Sequence, residues 1–398
     1  MKQLGFLAQL DHPTEAIRQF TPSWFTVTMG TGIISQLLYN FPYPFQGLEQ
    51  LAWAFWWLNI LLFTLFSIMQ LAQIVCFPRE ALLMLHDPTQ SLFIGSIPMG
   101  FATIVNGIVF FCVPRYGSAA VDVAWVTFWI DTGLSLISGW LVPYYMFVHH
   151  RHKMETMTSV WFFPVVPGVV AALSAAIVGK VVDPRSAAQL VFTGYVLWGM
   201  TIPLAFFVIT IFFLRLMLHS MPSKESMVSC LLPMGPFGAS SGALISLGAL
   251  AMEVFSEQTN SDPILVNFAR SAAGFGLVAG LILWGFGVWW LLMTASLLGT
   301  HWGRLPFNMG WWAFIFPMGI YCAATDTLAK LTGLQFFQVM GAMLTVAIFV
   351  GWLYIMSMTA IKAWQGHLFR AYSPSQPMAD LRSAHPAHSP ATNGVNGV

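Results

Sequence analysis

The chain has 398 residues, of which 57% are hydrophobic and 8% charged, and its mean hydropathy is +0.72. A soluble domain carries roughly 25% charged residues, so 16 basic and 15 acidic side chains could not cover a soluble globule of this length. The composition indicates an all-α polytopic membrane protein, and a net charge of +1 argues against a nucleic-acid partner.

Residues 1–20 contain Asp11 and Glu15 and no apolar stretch, unlike a cleavable signal peptide. Insertion is therefore expected to rely on the first transmembrane helix. A span needs about 20 predominantly apolar residues. In chain order that criterion picks out ten segments, near 23–39, 50–77, 92–112, 121–148, 159–179, 187–217, 231–252, 267–298, 309–329 and 334–363. The expected organisation is a cytoplasmic N-terminal segment (1–22), a ten-helix transmembrane domain (23–365) and a cytoplasmic tail (366–398). The tail is rich in Ser, Pro, Ala and Gly from about 371, which reads as disorder.

Lys and Arg accumulate in cytoplasmic loops. With the N-terminus inside, Lys2, Arg18, Arg79, Arg151, Lys153, Arg215, Lys224, Arg304, Lys362, Arg370 and Arg382 fall on the inner side. Only Arg115, Lys180, Arg185, Arg270 and Lys330 fall outside. Both termini are expected to be cytoplasmic.

The segments alternate in character. Even-numbered ones are long and dense in Leu, Phe and Trp, as in LAWAFWWLNILLFTLF and LWGFGVWWLLM. Odd-numbered ones are shorter and rich in Gly, Pro, Ser and Thr. Small and polar residues face packed protein or a cavity, whereas bulky apolar ones can face lipid. Five odd helices are expected inside five even ones. An internal repeat agrees with this: T-M-G-T-G (28–32), P-M-G (98–100), P-V-V-P-G (164–168), P-M-G-P-F-G (233–238) and P-M-G (317–319). Gly30, Gly100, Gly168, Gly235 and Gly319 lie 70, 68, 67 and 84 residues apart, as five helical hairpins would place them. The first copy carries Gly30 and Gly32 without a proline.

Proline inside a helix removes a hydrogen bond and clashes with the preceding turn. In a membrane such breaks survive where backbone is buried or lines an aqueous cavity. Pro98, Pro164, Pro167, Pro233 and Pro317 are each expected at a break, opening a half-helix whose free N–H groups suit an anion. The alternative is that Pro and Gly serve close packing; repetition at matched depth favours pore lining. Thr26, Thr28, Thr103, Asn106, Ser240 and Ser241 are substrate-binding candidates, with Ser96, Ser174, Ser246 and Thr325 on the same helices. Each hydroxyl can equally bond back to its own helix.

Asp131 in segment 4 and Asp326 near the outer end of segment 9 are charges within predicted spans. Such groups are functional by default, and Asp131 reads either as a proton-coupling group or as a cap on a polar contact. All ten histidines fall in predicted loops or tails: His12, His86, His149, His150, His152, His219, His301, His367, His385 and His388. His149-His150-Arg151-His152-Lys153 reads as a topogenic basic loop rather than a metal site. The cysteines Cys76, Cys112, Cys230 and Cys322 form no CxxC pair. With no midplane histidine, no haem or redox metal is expected, and no other cofactor. The Gly30/Gly32 pair lacks a preceding strand and is no dinucleotide fingerprint. Gly276/Gly280 and Gly238/Gly242 are read as helix contacts.

The stretches FTPSWFTVTMGTGIIS (20–35), SIPMGFATIVNG (96–107), LLPMGPFGASSGALIS (231–246) and WWAFIFPMG (311–319) resemble the fungal sulfite efflux pumps. These belong to the tellurite-resistance/dicarboxylate transporter family, with the plant slow anion channels and fungal malate permeases. The resemblance spans about residues 18–365. It implies ten helices as five pseudo-repeated hairpins around a central pore, and a homo-oligomer, commonly a trimer. It also implies a pore-occluding phenylalanine on the ninth helix, which falls on Phe316 here. The Gly-x-Gly of segment 1 departs from the family's proline kink.

The functional expectation is export of sulfite or bisulfite across the plasma membrane. The alternative is a C4-dicarboxylate (malate) or other small-anion permease of the same fold. A dicarboxylate site would offer a cation for the second carboxylate, and no Lys or Arg lies deep in any odd segment. The Gly-rich faces leave dimer and trimer both open. A membrane-embedded enzyme would need a midplane catalytic constellation, and the odd segments offer none.

Overall fold

The computed structural model describes residues 10, 12, 14–256, 262–300, 303 and 305–369. The expected tail from 370 onward, half of the N-terminal segment, and Lys2, Arg304, Arg370, Arg382, His301, His385 and His388 lie outside the described residues.

The described chain is all-helical, without a strand. Its helices are α1 (Glu15–Arg18), α2 (Phe25–Tyr39), α3 (Leu48–Cys76), α4 (Pro78–His86), α5 (Ser96–Gly107), α6 (Val113–Tyr116) and α7 (Ser118–Val148). They continue with α8 (Val166–Gly179), α9 (Pro184–His219), α10 (Met234–Val254), α11 (Pro263–Gly299), α12 (Trp312–Thr332) and α13 (Gln335–Trp364). Among the described residues, seven stretches are long and apolar enough to cross a membrane. They are Leu48–Cys76, Ser91–Tyr116, Ser118–Val148, Pro184–His219, Met227–Val254, Pro263–Gly299 and Gln335–Trp364. The chain is a multi-pass membrane protein. At 15 and 14 residues α2 and α8 are shorter, and the 21-residue α12 carries Asp326 and Lys330.

Local chemistry sets the helix ends. Proline fits the first helical position, whose N–H has no intrahelical acceptor. Asp183 precedes Pro184 and accepts from the backbone N–H groups of Arg185 (3.0 Å) and Ser186 (3.1 Å). Asp262 precedes Pro263 and accepts from Ile264 N–H at 2.7 Å. These caps begin α9 and α11 three and four residues before hydropathy alone places them. Hydropathy alone predicts a loop over α4; the structure instead ends α4 on His86 and α9 on His219, and His367 opens a 3-10 turn, so these three histidines do not lie in loops. Nine amphipathic residues with Arg79 and Glu80 give no hydropathy signal; a proline start and the Arg18–Glu80 ion pair (2.8 Å) hold the helix.

Burial divides the long helices into two kinds. Every residue of α2 except Tyr39 is buried, and α8, α10 and α12 are nearly as enclosed. On α3, by contrast, Ala52, Phe55, Asn59 and Phe66 form a single inward stripe, while Trp57, Leu61, Leu65 and Ile68 face out. An outward surface of Leu, Ile and Trp suits lipid. The enclosed helices touch in the closed order α2, α5, α8, α10, α12 and back to α2. Each outer helix packs on the inner helix before it and on the next around the ring: α3 on α2 and α5, α7 on α5 and α8, α9 on α8 and α10. The pattern continues with α11 on α10 and α12, and α13 on α12 and α2.

Candidate functional site

A shared device opens all five inner helices. Each is preceded by a 3-10 turn: Pro22–Trp24, Ser91–Gly95, Ser159–Phe162, Met227–Leu231 and Met309–Trp311. The prolines sit at this junction. Pro98 is the third residue of α5, Pro167 the second of α8, and Pro233 caps α10, while Pro164 lies between turn and helix. First-turn N–H groups have no intrahelical acceptor, so proline costs little there. What precedes each proline is a 3-10 turn of three to five residues, not a half-helix. Pro317 differs, because α12 runs through it without a break and Phe316 is helical. Hydrogen bonds to the outer helices hold α12 on both sides: Trp312 Nε1 donates to Thr359 Oγ1 (3.1 Å) and the Tyr321 hydroxyl to the Trp284 carbonyl (2.8 Å).

The five inner helices converge on a constriction. It is lined by Met29 of α2, Met99 of α5, Phe162, Phe163 and Val166 at the start of α8, Leu232 and Gly235 at α10, and Phe316 and Pro317 of α12. The open volume is 10 Å³, about what one water requires. All the side chains are apolar. At the N-terminal ends of the inner helices a vestibule of 650 Å³ opens, bordered by Ser23, Ser229 and Asn308 and by the loop residues Arg151, His152 and Lys153. Trp161 lines the vestibule and Phe162 the constriction. Phe93, on the vestibule wall, packs its ring 5.0 Å from that of Phe163.

The hydroxyl candidates separate into two groups. Thr26 donates to Ser23 O (2.6 Å), Thr28 to Phe25 O (2.7 Å), Thr103 to Gly100 O (2.6 Å) and Ser241 to Gly280 O of α11 (2.8 Å). Thr103 also accepts from Asn59 Nδ2 of α3 at 2.9 Å, so it faces α3. Ser240 Oγ and Asn106 Oδ1 are buried with no hydrogen-bond partner among the described residues. Asn106 lies seven residues beyond Met99, nearly on the same helix face.

The glycines also differ among themselves. A Cβ on Gly30 would press into the Trp312 ring, on Gly32 into Thr103 and Asn59, on Gly100 into Thr28, on Gly168 into Thr201 and on Gly319 into Ile33. These positions bring inner helices together or against their outer partners. Gly235 meets nothing nearer than Pro317 at 3.8 Å and lines the constriction. Gly276 and Gly280 rest against Leu244 and Ile245 of α10, and Gly238 against the Tyr321 backbone.

The basic loop lies at the vestibule. His150 is buried and donates Nε2–H to the Leu85 carbonyl at 3.1 Å. Burial holds its imidazole below the ordinary histidine range, and burial beside His150 does the same for His152. No group of three metal-ligating side chains occurs among the described residues. Asp131 and Asp326 are buried outside the constriction, Asp131 on the outer helix α7 and Asp326 against Gly341 of α13.

Sequence reasoning missed Met29, Met99, Phe162, Phe163 and Leu232. A signal was present only for the turns at or next to Phe162, Phe163 and Leu232: Ser23-Trp24-Phe25, Ser91-Leu92-Phe93, Ser159-Val160-Trp161 and Ser229-Cys230-Leu231 repeat a serine followed by two apolar residues. That repeat marks four of the five 3-10 turns; Met309–Trp311 lacks it.

The chain is similar over most of its length to known transport proteins. The chain is 37% identical over 356 residues to the sulfite efflux pump SSU1 of Arthroderma benhamiae, covering 89% of this chain and 94% of that protein. It is 36% identical over 356 residues to the SSU1 of Trichophyton rubrum, with the same coverage. It is 24% identical over 389 residues to the malic acid transport protein of Schizosaccharomyces pombe, covering 96% of this chain and 86% of the relative. Residues 19–360 match the voltage-dependent anion channel family, SLAC1. The chain belongs to the voltage-dependent anion channel family.

Proposed function

We propose that this protein exports sulfite or bisulfite across the plasma membrane, through a central pore gated by Phe316. The carrying observation is an apolar constriction where the five enclosed helices meet, below a vestibule edged by Arg151 and Lys153. A basic vestibule raises the local concentration of a small anion. An apolar constriction that shuts by dewetting excludes ions until a side chain moves. The reading is transport and not catalysis.

In this reading ten helices span the membrane as five pseudo-repeated hairpins within residues 23–365, with both termini cytoplasmic and residues 1–22 and 366–398 flanking. The Pro/Gly junctions at Gly30, Gly32, Pro98, Gly100, Pro164, Pro167, Gly168, Pro233, Gly235, Pro317 and Gly319 shape the pore wall. Asn106 and Ser240 are the strongest substrate-contact candidates, since their buried oxygens have no partner among the described residues. Thr26, Thr28, Thr103 and Ser241 are weaker ones, their donors being already engaged. The protein works as a homo-oligomer, a trimer by family resemblance.

A second reading, transport of a C4-dicarboxylate, is favoured by the similarity to the malic acid transport protein. Against it, no Lys or Arg lines the constriction to pair with a second carboxylate. Flux of radiolabelled sulfite and malate in proteoliposomes decides between them. Sulfite flux without malate flux is the expected result, and malate flux alone overturns the sulfite reading.

A further inference from the structure

The buried stripe of α7 carries an oxygen cluster unlike the rest of its length. Ala120, Ala124, Phe128 and Val142 are apolar, but Asp131, Thr132, Ser135 and Ser138 lie between them. Asp131 is 0% exposed. Both its carboxyl oxygens, the Thr132 hydroxyl and the Ser135 hydroxyl are buried with no hydrogen-bond partner among the described residues. Four such atoms on two adjacent turns are more than packing explains, since buried polar groups are normally paired.

We propose that Asp131, with Thr132 and Ser135 beside it, is a proton-binding site within the membrane, and that its loading controls how tightly α7 holds α5 and α8. The surroundings leave little other choice of occupant. Neither α5 nor α8, the two inner helices against α7, contains an ionisable side chain. The ionisable groups of the remaining neighbours lie towards the ends of α7: Arg79, Glu80 and His86 on α4, Cys112 on the π-helical turn Ile108–Cys112, and Arg115 and Tyr116 on α6. Asp131 is 13 residues from Ser118 and 17 from Val148, roughly 20 and 25 Å along the helix. Arg115 is engaged with Glu49 (3.4 Å) and stacked over Trp53, and Glu80 is paired with Arg18.

A bare carboxylate without a partner in such a place is strongly unfavourable. A hard metal cation wants about six or more oxygens, and this cluster offers four, all from one helix. A proton needs one. Met99 on α5 and Phe162, Phe163 and Val166 at α8 line the constriction, so the two helices that grip α7 also shape the closed pore. When the proton leaves, the charged carboxylate draws water into the α7 seam and loosens the packing behind those side chains.

The test uses the full chain in lipid. Infrared difference spectra of wild type against Asp131→Asn should show a protonated-carboxyl carbonyl stretch that the variant lacks and Asp131→Glu retains. Sulfite flux in proteoliposomes is then measured for both proteins over a range of pH at clamped potential. The sulfite's own ionisation cancels in the ratio of wild type to Asp131→Asn. That ratio should change with pH by up to about tenfold per unit, the limit for one titrating group. A carbonyl band absent at every pH of the range overturns the proposal, because Asp131 then never holds a proton. A ratio independent of pH overturns the link to the pore. The flux arm rests on the sulfite reading and the infrared arm does not. A wild type that carries no sulfite therefore refutes that reading, while the spectrum still decides the proton site.

Discussion

Trp352 of the last long helix donates its indole N–H to the hydroxyl of Thr31 on the first inner helix, at 3.1 Å and 321 positions apart in sequence. The bond helps α13 close the ring on α2. Trp56 on α3 reaches the Ile104 carbonyl of α5 in the same way (3.2 Å), and Trp284 on α11 reaches Thr325 of α12 (3.0 Å). Indole supplies one donor at the end of a large apolar body, which suits a seam facing both lipid and protein.

Trp352→Phe should lose about 1 kcal/mol for the hydrogen bond, with some packing against Phe55 in addition. Thr31→Val removes the same bond from the other side. Thermal unfolding of both single variants and the double variant gives the coupling. Strict additivity of the two losses would show that the bond contributes nothing.

Two glycines three residues apart on α10 should behave oppositely. A Cβ at Gly238 would stand 2.6 Å from the Tyr321 Cα, a backbone atom that can move only with α12. At Gly235 the nearest atom is 3.8 Å away. Gly238→Ala is expected to cost about 1–3 kcal/mol by overpacking. Gly235→Ala should stay within about 0.5 kcal/mol of wild type. Melting temperatures of the two variants check this, and equal losses would remove the close-contact argument.

The vestibule loop should weaken first in acid. Burial keeps His150 and His152 below the ordinary histidine value of 6.5 when folded. As pH falls below 6.5 the unfolded chain takes up protons that the folded chain resists, so stability is lost on acidification. It is fully present above that range. His150→Gln should flatten the fall in melting temperature between neutral pH and roughly pH 5. An unchanged slope in the variant would assign the acid sensitivity to other groups.

Much of the helical framework was readable because its signals are local and chemical. Hydropathy alone places the starts of α9 and α11 three and four residues late and ends α12 at 329; the prolines after Asp183 and Asp262 and left-handed Gly333 carry the true boundaries. The alternation of enclosed and one-sided helices follows from where Gly, Ser and Pro replace Leu and Phe. Side-chain direction was not readable. Thr103 and Asn106 are three residues apart on α5, yet one faces Asn59 and the other has an unpaired oxygen. Composition treats them alike. Met29, Met99 and Leu232 are ordinary apolar residues whose place at the constriction depends on how five helices meet, which no single segment encodes.

Phe316 is 2% exposed, and its ring stands at the constriction with Met29, Met99, Phe163 and Leu232. Because α12 is continuous through Pro317, opening does not require the helix to unbend further. As a gate, Phe316 would widen the gap of 10 Å³ by a change of side-chain rotamer. Two expectations for Phe316→Ala differ in sign. A phenylalanine that only packs costs about 3–5 kcal/mol when truncated in a core, and flux should fall with the amount of folded protein. A phenylalanine that plugs the pore faces the opening on one side, so the loss of stability should be smaller and sulfite flux per folded molecule should rise. Phe316→Leu, which keeps an apolar side chain of shorter reach, should fall between alanine and wild type in flux. Flux and melting temperature measured on the same preparations separate the two. A large drop in melting temperature with unchanged or lower flux per molecule would exclude the gate and make Phe316 a core residue.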